Sequence, residues 1–254
     1  MSPDRPLTLP RPAMLIPLRP TSFCARCDQR AVSVCAAIQD ADLHHLAAAA
    51  TPILIPAGHG FIGEGDCANS FYNITQGTAR LFKLLPDGRR QITGFAGPGS
   101  FLGLAANKYY AFGAEAMDPM RICRFSRSDM TALLEDFPAL EQRLLAVACS
   151  ELALAQEQML LLGRKTARER LASFLVNRVA ATPHCPHPPM SSQPQSLNLP
   201  MSRADIADYL GLTIETVSRT FSKLRAEQLI ALPSAGEVMF RDLDALQAVA
   251  NGEG

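Results

Sequence analysis

The spacing of apolar residues changes character along the chain, and each change predicts an element. From Phe71 to Ile74, Thr78 to Leu85 and Arg89 to Phe95, apolar and polar residues alternate, which is the period of half-buried strands. Pro86-Asp87-Gly88 closes the last two into a hairpin, 56–66 and 97–100 are turn clusters, and Arg121 to Phe125 reads as a further strand. Many short strands joined by tight turns predict an antiparallel β-roll or jelly roll. A short helix, Asp40 to Ala50, precedes it.

Beyond Pro138 the period becomes helical. Leu145, Ala148, Leu152, Ala155, Met159 and Leu162 keep three- and four-residue steps, the seam of a coiled coil. That seam must be buried against the roll or against the same helix of a second subunit, and we favour the second. Leu171 to Ala181 continues as helix, while the proline-rich stretch 182–200 cannot be helical and reads as a flap.

The segment Ser202 to Leu229 predicts two short helices and a tight turn. Ser202 caps the first, with Asp205 as capping-box partner, and Ile206, Ala207 and Leu210 form its buried face. Gly211 ends it. Thr213 caps a second helix whose Val217, Phe221 and Leu224 face inward, leaving Glu215, Ser218, Arg219 and Ser222 on the opposite, polar face. Two short apolar runs, 229–233 and 237–241, flank Ser234-Ala235-Gly236 as a β-hairpin wing. This is a winged helix-turn-helix whose second helix reads base edges in a DNA major groove. Arg219 suits guanine and Glu215 suits the cytosine amino group; with Ser218, Ser202, Thr213, Thr216 and Lys223 they form the expected DNA-contacting set. Two such readers placed one turn of duplex apart require a homodimer and a palindromic operator.

The expected class is therefore α+β. The expected divisions are a disordered proline-rich tail at 1–22, a cysteine segment and β-roll sensor at 23–137, a dimerisation helix at 138–163, and the DNA-binding domain at 164–254.

Composition adds restraint. The chain has 254 residues, 48% of them apolar, and zero formal net charge, so total charge gives no hint of nucleic acid. The segment Ser202 to Leu229 holds four basic and four acidic residues, which predicts modest non-specific affinity for DNA. Arg164, Lys165, Arg168 and Arg170 form a local basic cluster, read either as phosphate contacts or as a solvated face. No apolar run is expected to reach a membrane span and no export signal is evident, so the reading is cytoplasmic with no membrane partner.

Seven cysteines in a reducing compartment point to metal, redox chemistry or burial rather than disulfides. Cys24 and Cys27 form a C-x2-C pair and Cys35 follows after seven residues, so three thiolates can reach one metal centre. Cys67 and Cys149 are expected to be buried. His184, Cys185 and His187 read as an exposed loop. A thiol oxidoreductase using Cys24 and Cys27 would need a βαβ context that is missing here, so no enzyme is expected.

The order of these parts resembles the CRP/FNR superfamily of bacterial transcription regulators. The resemblance sharpens at Ile92-Thr93-Gly94-Phe95, at Glu169-Arg170-Leu171-Ala172 and at 209–219, which look like the FNR branch; the cysteine spacing resembles its FnrL/FnrN-like members. It implies a cyclic-nucleotide-binding-like β-roll and a [4Fe-4S] cluster, held by Cys24, Cys27, Cys35 and, as fourth ligand, Cys123. It also implies oxygen-controlled dimerisation, a TTGAT-type palindrome read by Glu215, Ser218 and Arg219, and RNA polymerase as a partner. Members that bind cyclic AMP resemble one another in a Glu and an Arg around the phosphate. The corresponding run here, 101–112, has neither, so no cyclic nucleotide is expected. The alternative is a regulator of the same fold using its cysteines for zinc or thiol redox sensing.

Overall fold

The computed structural model describes residues 16–17, 23–105, 108–181, 196–234 and 236–253. The chain forms two compact units, 1–151 and 152–254, which divide inside a long helix.

In chain order the first unit contains β1 (Ile16–Pro17), α1 (Leu43–Ala49), β2 (Ala50–Ile55), β3 (Gly60–Ile62), β4 (Ser70–Gln76), β5 (Ala79–Leu84), β6 (Arg90–Ala96), β7 (Phe101–Leu102), β8 (Gly113–Ala116), β9 (Met120–Ser126) and α2 (Arg127–Asp136). Two antiparallel sheets make the roll, ordered β1-β2-β9-β4-β7 and β3-β8-β5-β6. The predicted roll is present, and the alternation that announced it has two different destinations. Tyr72 and Ile74 of β4, with Ile122 of β9 and Ile53 and Ile55 of β2, point into the core between the sheets. Phe71 of β4, with Cys123 and Phe125 of β9, points the other way, against Met130 and Leu133 of α2 and the segment holding Cys24 and Cys35.

Ile16–Pro17 corrects one expectation: within the proposed disordered tail, these residues pair with Leu54 and Ile53 of β2. The rest of that tail lies outside the described residues.

Helix α3 (Pro138–Arg164) begins in the first unit and ends in the second. Leu140 and Leu144 are buried near its start and Leu161 near its end. Between them the seam is bare: Leu145, Leu152 and Met159 are 66%, 60% and 68% exposed. Ala148 and Ala155 are exposed too, and Leu162 is half-buried. By length and composition alone α3 would suffice to cross a membrane, with a mean hydropathy of 1.3, but Glu151 and Glu157 interrupt it and no uninterrupted apolar run reaches that length. Leu154 and Leu160, beside the seam, are exposed as well.

The second unit continues with α4 (Ala167–Ala181), β10 (Ser196–Asn198), α5 (Arg203–Leu210), α6 (Ile214–Ala226), β11 (Ile230–Ser234), β12 (Glu237–Phe240) and α7 (Leu243–Asn251). The end of the presumed flap is thus a strand: β10 joins β12 and β11 in a three-stranded wing. Residues 182–195, including His184, Cys185 and His187, lie outside the described residues. Helix α7 is an element that pattern reading missed. Its Leu246, Val249 and Ala250 are buried, as are Leu171, Ala172, Phe174 and Leu175 of α4.

Candidate DNA interface and cysteine site

The reader helix is fixed by its caps. Ser202 accepts a hydrogen bond from the Asp205 amide at 3.1 Å while the Asp205 carboxylate accepts from the Ser202 amide at 3.0 Å, closing the capping box. Helix α5 ends at Gly211 in the left-handed region, φ 62°, where a Cβ would also come within 3.3 Å of Leu162 Cδ2. Thr213 then caps α6, accepting from the Thr216 amide at 3.1 Å. Val217, Thr220, Phe221 and Leu224 are buried, and the Arg203 guanidinium stacks 3.3 Å from the centre of the Phe221 ring.

This leaves Glu215, Ser218, Arg219 and Lys223 exposed on one face of α6. Thr213 and Thr216 lie at the start of α6, their hydroxyls 2.9 Å apart, and Ser202 stands at the start of α5 with its Oγ donating to Asp205 Oδ2 at 2.6 Å. The arrangement presents a charged donor, a charged acceptor and a small hydroxyl at helical spacing, the chemistry needed to distinguish base edges.

The basic cluster preceding the reader has another role. Arg170 donates to the carbonyls of Leu162, Lys165 and Leu210, each at 2.9 Å. Lys165 Nζ donates to Ser173 Oγ and to the Ala250 carbonyl, both at 2.8 Å. Arg168 pairs with Glu227 at 2.9 Å. Three of the four cations therefore bind the unit's own helices together, which was legible in neither of the readings of them as phosphate contacts or a solvated face. Only tertiary contact supplies their partners.

In the first unit, the fold brings the four predicted cysteines together. Cys24 opens a 3-10 turn, 24–26, and Cys27 closes it, its amide donating to the Cys24 carbonyl at 3.4 Å. Cys35 lies in a second such turn, 34–37, capped by Ser33, whose hydroxyl accepts from the Cys35 amide at 3.3 Å. Arg30 pins the loop between them by an ion pair with Asp40 and by donating to the Ile38 carbonyl at 2.8 Å. Cys123, from the middle of β9, faces the same side.

Cys24, Cys35 and Cys123 share one buried cluster, and Cys27 closes the turn that Cys24 opens. Burial first, and then the neighbouring thiols, push Cys24 and Cys123 up to about 12, while nearby Arg30 partly offsets the rise at Cys24. Burial raises Cys35 as well. Cys24, Cys35 and Cys123 are buried and Cys27 is half-buried. Among the described residues, no three His, Cys, Asp or Glu side chains are drawn close enough to hold a single metal ion. As a donor set, three buried thiols and the half-buried Cys27 of the same turn as Cys24 fit an iron-sulfur cluster, which is bound by four cysteine thiolates. Cys67 and Cys149, expected to be buried, are exposed. Cys67 lies in a loop bridged to Tyr109, and Cys149 lies on the bare stretch of α3.

A β-roll, a long helix and a winged helix-turn-helix with a polar reading face define a DNA-binding regulator. Residues 169–249 match the Crp-like helix-turn-helix domain, and residues 53–137 match the cyclic nucleotide-binding domain. The chain is 41% identical to the transcriptional activatory protein AadR of Rhodopseudomonas palustris, over 85% of this chain and 91% of that one. It is 34% identical to the transcriptional activator protein FnrL of Cereibacter sphaeroides, over 91% and 88% respectively. The solved structure of FixK2 from Bradyrhizobium japonicum, 34% identical, superposes with a TM-score of 0.72 and covers 79% of this chain and 96% of that one. The chain belongs to the CRP/FNR family of transcription regulators and is not an enzyme.

Proposed function

We propose that this regulator responds to oxygen through a [4Fe-4S] cluster held by Cys24, Cys27, Cys35 and Cys123. The observation that carries this reading is the meeting of Cys24, Cys35 and Cys123, from two remote segments, on one buried wall, with Cys27 closing the turn that Cys24 opens. Bound there, the cluster would supply an inorganic core that oxygen degrades. A zinc or thiol-redox site is the second reading. Zinc, with Zn–S bonds of about 2.3 Å, needs its ligands gathered around one point, whereas in a four-iron cluster each thiolate binds a different iron and the sulfurs stand further apart. Iron, sulfide and zinc analysis of the purified protein separates the two readings.

Ligation would tie 23–38 to β9, and so to the wall that also buries Leu140 and Leu144 at the start of α3. Ordering that wall biases the bare seam of α3 towards a second copy, a population shift from monomer to homodimer. Two α6 helices then engage a palindrome of the TTGAT type, with Glu215, Ser218 and Arg219 touching bases, and RNA polymerase is the partner at the promoter. The run 101–112 offers no Glu or Arg for a cyclic phosphate, so no cyclic nucleotide is required.

Anaerobic purification with iron and sulfide analysis tests the reading, followed by air exposure while sedimentation and operator binding are measured. The expected result is about four irons and four sulfides per chain, a visible band that air bleaches, and parallel loss of dimer and of DNA binding. Protein carrying zinc in place of iron, or a dimer unchanged by air, would refute it.

A further inference from the structure

Asn73 is out of place by every local criterion. It sits in the centre of β4, a position that favours β-branched or aromatic residues, and its side chain is only 1% exposed. Cross-strand register shows where it points. Asn73 pairs with Cys123 on β9 and with Phe101 on β7, and directly opposed residues share a face of the sheet. Its carboxamide therefore stands on the wall of Phe71, Phe101, Phe125, Cys24, Cys35 and Cys123. Nδ2 lies 4.0 Å from Cys35 Sγ. Oδ1 is buried and has no protein partner among the described residues. A buried amide oxygen left in this state costs free energy that a valine or leucine would avoid, so the group is retained at a cost to the fold.

We infer that Asn73 is a positioning residue for the Cys35 sulfur, donating an N–H···S hydrogen bond that holds the sulfur in place and sets the electron affinity of the group it binds. The inference rests on the cluster reading above. Hydrogen bonds to ligand sulfur draw electron density away from it and so stabilise the electron-rich state, which raises the reduction potential and slows oxidative loss. Ser33, also buried beside Cys35, is engaged with the Cys35 amide and the Arg30 carbonyl, whereas the Asn73 amide is directed at the Cys35 sulfur.

Asn73→Leu and Asn73→Ala in the full chain test this, since they share the lost donor and differ in volume. After anaerobic reconstitution, both are expected to shift the midpoint potential to more negative values and to shorten the bleaching time in air several-fold. In the metal-free protein, alkylation of Cys35 at fixed pH, resolved by mass spectrometry, is expected to slow in both, while Cys67 and Cys149 react as in the wild type. Wild-type potential and bleaching in Asn73→Leu, with a change in Asn73→Ala alone, would mean that packing is the whole effect and would overturn the proposal. If the wild type takes up no iron and sulfide, the cluster reading fails by itself. Alkylation then decides Asn73: a slowed Cys35 in both variants upholds the N–H···S bond, and an unchanged rate removes it.

Discussion

Arg170 donates from Nη1 to the carbonyl of Leu210, the last residue of α5, at 2.9 Å. The same guanidinium holds the carbonyls of Leu162 and Lys165, also at 2.9 Å, so one side chain terminates both α3 and the first helix of the reader. Helix ends leave carbonyls without intrahelical partners, and a planar five-donor group is suited to satisfying several at once. Arg170→Ala is expected to destabilise the DNA-binding unit by about 3 kcal/mol, the scale of hydrogen bonds to a charged group. Arg170→Lys should recover only part of this, because an ammonium cannot span all three acceptors. Urea unfolding followed by circular dichroism checks it, and wild-type stability in the alanine variant would show the contacts to be incidental.

Base reading by α6 has a distinct signature. Glu215→Ala or Arg219→Ala is expected to cost on the order of 1 to 3 kcal/mol per half-site and to relax sequence preference at one position each, leaving stability unchanged because both side chains are exposed. Titrations on operator and on scrambled DNA separate the outcomes. Equal loss on both sequences would assign these residues to the backbone instead.

Leu152 is 60% exposed at the centre of the bare seam of α3. A charge there costs a monomer little, within about 0.5 kcal/mol for an exposed site, but it would place two like charges face to face in a two-fold pair. Leu152→Lys is expected to sediment as a monomer and to lose operator binding while keeping its helical content. A variant that still forms wild-type dimer would move the interface elsewhere.

The metal-free first unit should be sensitive to alkali. Burial holds the Cys24 and Cys123 thiols at about 12 in the native state, against an ordinary value of 9.0. Between those values the unfolded chain has lost protons that the native chain retains. Stability from these thiols is therefore complete below about pH 9 and is lost as pH rises towards 12. Unfolding of the metal-free wild type should show a steeper decline above pH 9 than Cys24→Ala or Cys123→Ala, and parallel slopes would contradict the burial argument.

Local pattern carried much of this protein. The caps at Ser202 and Thr213, the glycine at 211 and the inward stripe of Val217, Phe221 and Leu224 act within one or two helical turns, so a short stretch of sequence specifies them completely. The alternation in β4, β5 and β6 announced the roll for the same reason, and the C-x2-C spacing marked Cys24 and Cys27 without any fold at all. The seam of α3 was visible as a period, although the bare middle of the helix was not, because exposure depends on what the rest of the chain leaves uncovered.

Long-range pairing decided the remainder. Strand β10 joins the wing across some 40 residues from β12, and nothing in Ser196–Asn198 encodes that partner. Lys165, Arg168 and Arg170 looked like a basic surface until the fold supplied Ala250, Glu227 and Leu210 as their acceptors. Asn73 and Cys123 meet only because β4 lies beside β9, and their shared wall exists only once that sheet packs against α2 and the turns of Cys24 and Cys35. The sequence by itself determined the reader and most of the elements, α7 and β10 excepted, because their interactions are local. Tertiary structure decided the wall of the cysteine site, because burial and partner choice arise from residues far apart in the chain.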